Sequence, residues 1–223
     1  MKLRKNTQRA FTLIELLVVI TIIAILASMA MPAYTKIQER AKITRDINNV
    51  KQILLACRTY SADNDGLFPT YADPQATEPV GTSTEAWNIL YPDFIDTESI
   101  FWIQTTNPEK LRPPREDGEI EPEENTYTYV VGQQDTMFSR SPLVADEQDG
   151  AGTYGEFHPW LSSKKAVIGY VGGQVVEEKL TSNEEGATVR TRDGLIEDIF
   201  QKREAGEDSG GLLAVETDNI LNP

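Results

Sequence analysis

Between Phe11 and Met31 the chain reads FTLIELLVVITIIAILASMAM, 21 residues in which only Thr12, Glu15, Thr21 and Ser28 are polar. No other feature limits the fold as strongly. As an α-helix rising about 1.5 Å per residue, the run reaches about 30 Å, the thickness of a bilayer core. The ten residues before it carry Lys2, Arg4, Lys5 and Arg9 and no acid, and almost every long apolar run lies before Met31. The remainder of the 223 residues reads as a polar, soluble head, enough for one ordinary domain beside the apolar helix.

The helical pattern does not end with the apolar run. Pro32 lacks a backbone donor, but the periodicity resumes at once, so a kink rather than a stop is expected there. Ile37, Ala41, Thr44, Ile47, Val50, Leu54 and Cys57 recur at three- and four-residue steps and leave Lys36, Arg40, Lys51 and Arg58 for other faces. The helix is expected to run to about Tyr60. Asn64-Asp65-Gly66 and then Pro69 form a stop signal, because Gly accepts the left-handed turn and Pro cannot continue a helix. Fifty such residues would be about 75 Å long, and a helix of that length needs partners along it.

Further on, Trp87 to Tyr91 is expected to be a short helix, and Pro113 to Glu124 an exposed, mobile acidic loop. Tyr127 to Val131 has strand composition. Ala166 to Val171 and Gln174 to Leu180 form a hairpin about Gly172-Gly173, a pair that tolerates positive φ at both positions. Asp193 to Lys202 is expected to be a short amphipathic helix with Leu195, Ile196, Ile199 and Phe200 on one side. From Gly206 the chain reads as a loose polar tail apart from Leu212 to Val215. The fold class expected is α+β, a long N-terminal membrane-spanning helix packed by its C-terminal half on a small antiparallel sheet. The segments are a basic leader at 1–10, the span at 11–32, its amphipathic continuation at 33–60 and an acidic head at 61–223.

Charge divides along the same lines. Residues 61–223 hold 11 basic and 32 acidic side chains, whereas residues 33–60 hold 6 and 2. A head this acidic is soluble and is no nucleic-acid binder, since phosphate contacts need Lys and Arg. Charge does not orient the span, because Lys36, Arg40, Lys42, Arg45 and Lys51 balance the four cations before it. A single Cys57 and a single His158 allow neither an intrachain disulfide nor a zinc site built from several Cys or His.

A short basic leader ending in Ala10, the run Phe11-Thr12-Leu13-Ile14-Glu15-Leu16, and a span continuing into an amphipathic helix together resemble the prepilin family, which covers type IV pilins and the pseudopilins of type II secretion. The resemblance covers residues 1 to about 32. It implies that a prepilin peptidase cuts between Ala10 and Phe11 and methylates the new amine of Phe11, with Ala10 standing where Gly is usual. It further implies a single-pass inner-membrane protein with its head outside the cytoplasm, polymerised with itself and with other pilin-like subunits by an assembly platform and ATPase. A carboxylate in an apolar span costs about 2.5–3.5 kcal/mol at the centre, so Glu15 needs a partner or a route to the headgroups. In the family such a Glu pairs with the amine of a neighbouring subunit. The alternative is an ordinary secretory signal cut after Ser28-Met29-Ala30, with no filament role; Glu15 and the unbroken helical pattern argue against it.

The head resembles the family more loosely. Tyr60 to Pro69 looks like the helix end of major pseudopilins, which hold calcium in a head loop. Ser141 to Asp146, His158 and Gly172-Gly173 resemble an expanded set of pilin-like proteins whose Asp-Gly-His turn is here Gly172-Gly173-Gln174. Asp146 and Asp149 are the calcium candidates, but their run lacks EF-hand spacing and is expected to be a solvated turn, with no cofactor. No nucleophile elbow, phosphate loop or metal-binding helix motif is present, so no enzyme is expected and His158-Pro159-Trp160 is read as packing.

Overall fold

The computed structural model describes residues 12–72, 76–105, 107–110, 112–150, 152–183, 186–190, 198–203 and 212–223. The chain divides into two compact units, one ending at Ala41 and one from Lys42 to Pro223. Helix α1 (Leu13–Asp63) contributes to both. In the first unit none of the described large apolar side chains from Leu13 to Met31 is buried: each is 47–82% exposed. Pro32 lies inside the helix, which continues through it.

The second unit is an antiparallel sheet in the order β5-β4-β3-β2-β1-β6. Its strands are β1 (Tyr127–Val130), β2 (Pro142–Asp146), β3 (Lys165–Tyr170), β4 (Val175–Asn183), β5 (Gly186–Val189) and β6 (Ile220–Leu221). Together with α1 this is an α+β fold. Alternation along the strands, interrupted in β2 by a register shift between Pro142 and Val144, makes two cores. Tyr127, Tyr129, Leu143 and Val167 face Val50, Ile53, Leu54 and Cys57 of α1 and Trp87 and Leu90 of helix α2 (Ser83–Leu90). Val130, Ala145, Ala166 and Ile168 face the opposite way, where Tyr154, Phe200, Leu212 and Leu213 cover them.

The buried stripe of α1 differs from the expected one. Ile43, Asp46, Asn49, Val50, Ile53, Leu54, Ala56, Cys57 and Ser61 are buried, whereas Thr44 is exposed. Two polar residues occupy the core face because they have partners there: Asn49 donates to the Trp102 carbonyl, and Asp46 accepts from Tyr127 and Trp160. Burial pushes the Cys57 thiol well above its ordinary range, as befits an inert packing residue. The helix ends at Asp63, and Gly66 at φ +82 returns its N–H to the Ser61 carbonyl at 2.8 Å.

Several other expectations are corrected. Helix α2 begins before Trp87, at a cap where Thr82 accepts from the Glu85 N–H and Glu85 accepts from the Gly81 N–H. The acidic loop at 113–124 is pinned: Ile120 is buried, and Asn88 bonds both its N–H and its carbonyl. In the hairpin only Gly173 has positive φ (+83); Gly172 is there for space, since a Cβ would come within 2.8 Å of the Ser139 carbonyl oxygen. The C-terminus is no tail, because Ile220 and Leu221 form the edge strand on β1. Residues 193–197 of the expected helix lie outside the described residues, and 198–202 form a turn and a bridge that bury Ile199 and Phe200. Of the expected tail, 206–211 also lie outside the described residues.

Helix α1 sits close on the sheet at Gly169 of β3, where a Cβ would lie 2.8 Å from both Leu54 Cδ1 and Val50 Cγ1. Both side chains are buried and have little room to move. Gly169→Val is therefore expected to destabilise the folded head by about 1–3 kcal/mol, read as a lower urea midpoint. An unchanged midpoint would show that the helix does not need this close approach.

Candidate functional site

In the head, Asp146 and His158 are packed inside, whereas Asp149 is exposed. Asp146 is wholly buried at the end of β2, where its Oδ2 accepts from the Val167 N–H at 3.0 Å and lies 3.7 Å from His158 Nε2. Among the described residues its Oδ1 meets no donor. His158 turns Nε2–H to the Lys165 carbonyl at 2.7 Å, and its ring packs edge-on against Tyr154. Asp149 is exposed and folds over Gly155. The solvated acidic turn expected at Asp146 is thus a correction: the carboxylate is recruited into the core by a strand N–H. Among the described residues no three His, Cys, Asp or Glu side chains converge as metal ligands.

Asp46 of α1 is the feature that sequence reading missed. It is wholly buried, accepting from Tyr127 Oη at 3.0 Å and from Trp160 Nε1 at 2.7 Å. Burial raises its carboxyl to about 7, against the two donors that favour the charged form. Burial, and then the Asp46 charge, holds Asp146 well above the usual carboxylate range. Burial pulls His158 down to about 4 despite the Lys165 carbonyl, so the imidazole is neutral at pH 7 and makes no ion pair with Asp146. The cluster joins helix to sheet, but it presents no exposed reactive group.

The start of α1 is different, because its whole surface is open. Glu15 Oε2 accepts from the Thr12 N–H at 2.9 Å and from Thr12 Oγ1 at 2.8 Å, while Thr12 Oγ1 accepts from the Glu15 N–H at 3.3 Å. This reciprocal capping box satisfies donors that a helix start leaves free. Thr12 was not singled out from sequence, although the Thr-x-x-Glu spacing is the recognised signal. Exposed Ile14, Val18 and Val19 surround the carboxylate. Ala10 and Phe11 lie outside the described residues. Pro32 accepts at its carbonyl from Thr35 Oγ1 at 3.1 Å.

Residues 5–31 match the prokaryotic N-terminal methylation motif. Over 57 residues the chain is 40% identical to the type IV major pilin protein PilA of Myxococcus xanthus, covering 26% of either protein. It is 39% identical over 59 residues to the type IV major fimbrial protein FimA of Dichelobacter nodosus, covering 26% of this chain and 38% of that one. It is 36% identical over 62 residues to the type II secretion system core protein G of Pseudomonas aeruginosa, covering 28% and 44%. The chain thus spans less than half the length of these relatives. No solved structure is significantly similar to it. The prepilin-type N-terminus expected from the sequence is borne out, and its helix is long and apolar enough to cross a membrane.

The buried cluster carries its own test. Asp46 binds its proton more tightly in the fold than in the unfolded chain, so its stabilisation is complete below about pH 4 and is lost as pH rises to about 7. His158 works the other way, with stabilisation present above its ordinary pKa near 6.5 and lost as pH falls through about 4. An Asn at position 46 can accept from Trp160 Nε1 through its oxygen and donate through its amide to Tyr127 Oη, which keeps both partners without the charge. Between pH 5 and 8, the stability of Asp46→Asn relative to wild type is expected to shift in the variant's favour by about 2–4 kcal/mol, measured by urea unfolding. A difference independent of pH would mean that Asp46 does not titrate with folding.

Proposed function

We propose that the chain is a structural subunit of a type IV pilus-like or type II secretion pseudopilus filament, and not an enzyme. The single observation that carries this reading is an apolar helix surface, opened by a methylation motif, that the chain leaves unburied. Lipid can cover such a surface before assembly and the helices of other subunits after it. In this reading the protein is inserted in the bacterial inner membrane with its head outside the cytoplasm. Prepilin peptidase cuts between Ala10 and Phe11 and methylates Phe11, and the assembly platform and ATPase then draw the subunit into the filament with itself and other pilin-like subunits.

Glu15 sets register in this scheme. Its Oε2 is committed to Thr12, while Oε1 takes no part in the cap and is left for the amine of Phe11 on a neighbouring subunit. A subunit out of register would bury both charges alone, and breaking such a pair costs about 3–5 kcal/mol. Pro32 lies at the end of the apolar run, where anchor gives way to head.

The processed protein is expected to begin at methylated Phe11, which intact-mass analysis of membrane extracts reads directly; a start at Met31 would mean an ordinary secretory signal. Glu15→Leu is expected to leave processing and insertion intact, since it removes only a charge from an apolar helix, but to abolish sheared filaments in a host with the cognate machinery. Filaments as abundant as wild type would reduce Glu15 to a helix cap.

A further inference from the structure

Within the unit from Lys42 to Pro223, Asn48, Lys51, Leu55 and Arg58 follow one another at three- and four-residue steps along α1 and all are exposed, with the Arg58 guanidinium lying beside Gly173 of the hairpin. Leu55 is 66% exposed, more than any other large apolar side chain described in this unit. Lys51 and Arg58 flank it, one turn to either side, and neither pairs with a carboxylate among the described residues. An exposed Leu between two unpaired cations is poor design for a face that stays in water, and good design for one that is covered by an anionic surface.

The same chain supplies such a surface. Residues 116–123 expose Glu116, Asp117, Glu119, Glu121 and Glu123 and hold no Lys or Arg, although exposed Arg112 and Arg115 precede them. This acidic loop is preformed. Glu116 accepts from the Glu98 and Ser99 N–H groups, Glu98 accepts from the Gly118 N–H, and Ile120 is buried at its base. A loop already ordered loses little entropy on docking.

We propose that the Lys51–Leu55–Arg58 stripe of one subunit docks against the acidic 116–123 loop of a second copy of this chain. The proposal rests on the filament reading and names a contact within it. The two patches are unlike, so the contact is heterologous: each subunit offers its stripe to one neighbour and its loop to another, and the pairing repeats without closing. The charge division between residues 33–60 and the head then serves assembly as well as solubility.

Charge exchange in the full-length chain, expressed with its assembly machinery, tests this. Lys51→Glu with Arg58→Glu is expected to cut sheared filaments by at least about tenfold while the processed membrane pool stays at wild-type level. Glu119→Lys, Glu121→Lys and Glu123→Lys together should do the same, and all five substitutions combined should restore filaments, a rescue that misfolded variants cannot give. Arg58→Cys with Glu121→Cys should form intersubunit disulfides in sheared filaments. Normal filaments from the Lys51/Arg58 variant, or no rescue by the combination, overturn the contact and leave the filament reading standing. A wild type that is processed but never polymerises overturns that reading and this contact with it.

Discussion

An apolar helix surface that is exposed among the described residues is the constraint on which the rest depends. Removing a Leu, Ile or Val side chain from water is worth about 1.5–3 kcal/mol, and α1 offers such side chains on every face from Leu13 to Met31. A surface of that extent cannot remain in water. Within the head, the described residues of α1 that are buried begin at Ile43. The helix is thus two elements in one: an all-round apolar anchor, then a one-sided amphipathic helix whose inner stripe is the spine of the head.

That second element accounts for the architecture of the head. Val50, Ile53, Leu54 and Cys57 cover one face of the sheet, and Gly169 lets the helix sit close. The opposite face is closed by the segments around Tyr154, Phe200 and Leu212. Chain ends and loops are then tied by polar contacts: Thr128 donates to Asn222, Ser83 to the Asn222 carbonyl, and Asn125 holds Trp87, Ser83 and Thr84 together. Where polar groups enter the core they bring their own partners, as Asp46 does with Tyr127 and Trp160.

The elements legible from sequence were those governed by local chemistry. The apolar run, the helix stop at Asn64-Asp65-Gly66, the strand at Tyr127 and the hairpin at Gly172-Gly173 all follow from periodicity or turn residues. What escaped was set by contacts remote in sequence. Asp46 and Asn49 look like outward-facing residues until Trp160, 114 positions away, and Trp102 are seen to receive them. Ile220-Leu221 reads as part of a polar tail until β1 offers it an edge. Asp146 looks solvated until β3 supplies an N–H. At the N-terminus, Glu15 was visible as a charge in an apolar run, whereas its partner Thr12 was overlooked beside it.

The central claim is that lipid and then other subunits bury the helix surface between Leu13 and Met31, and a spin label at Ile22→Cys measures this most directly. Cys57 is fully buried and will not compete for the label in the folded protein. In membranes the label should collide freely with oxygen and be shielded from a water-soluble nickel reagent. In sheared filaments it should lose oxygen access and show spin–spin broadening from neighbouring copies. A label open to the nickel reagent in either state, or one whose environment is the same in membranes and filaments, would contradict the account.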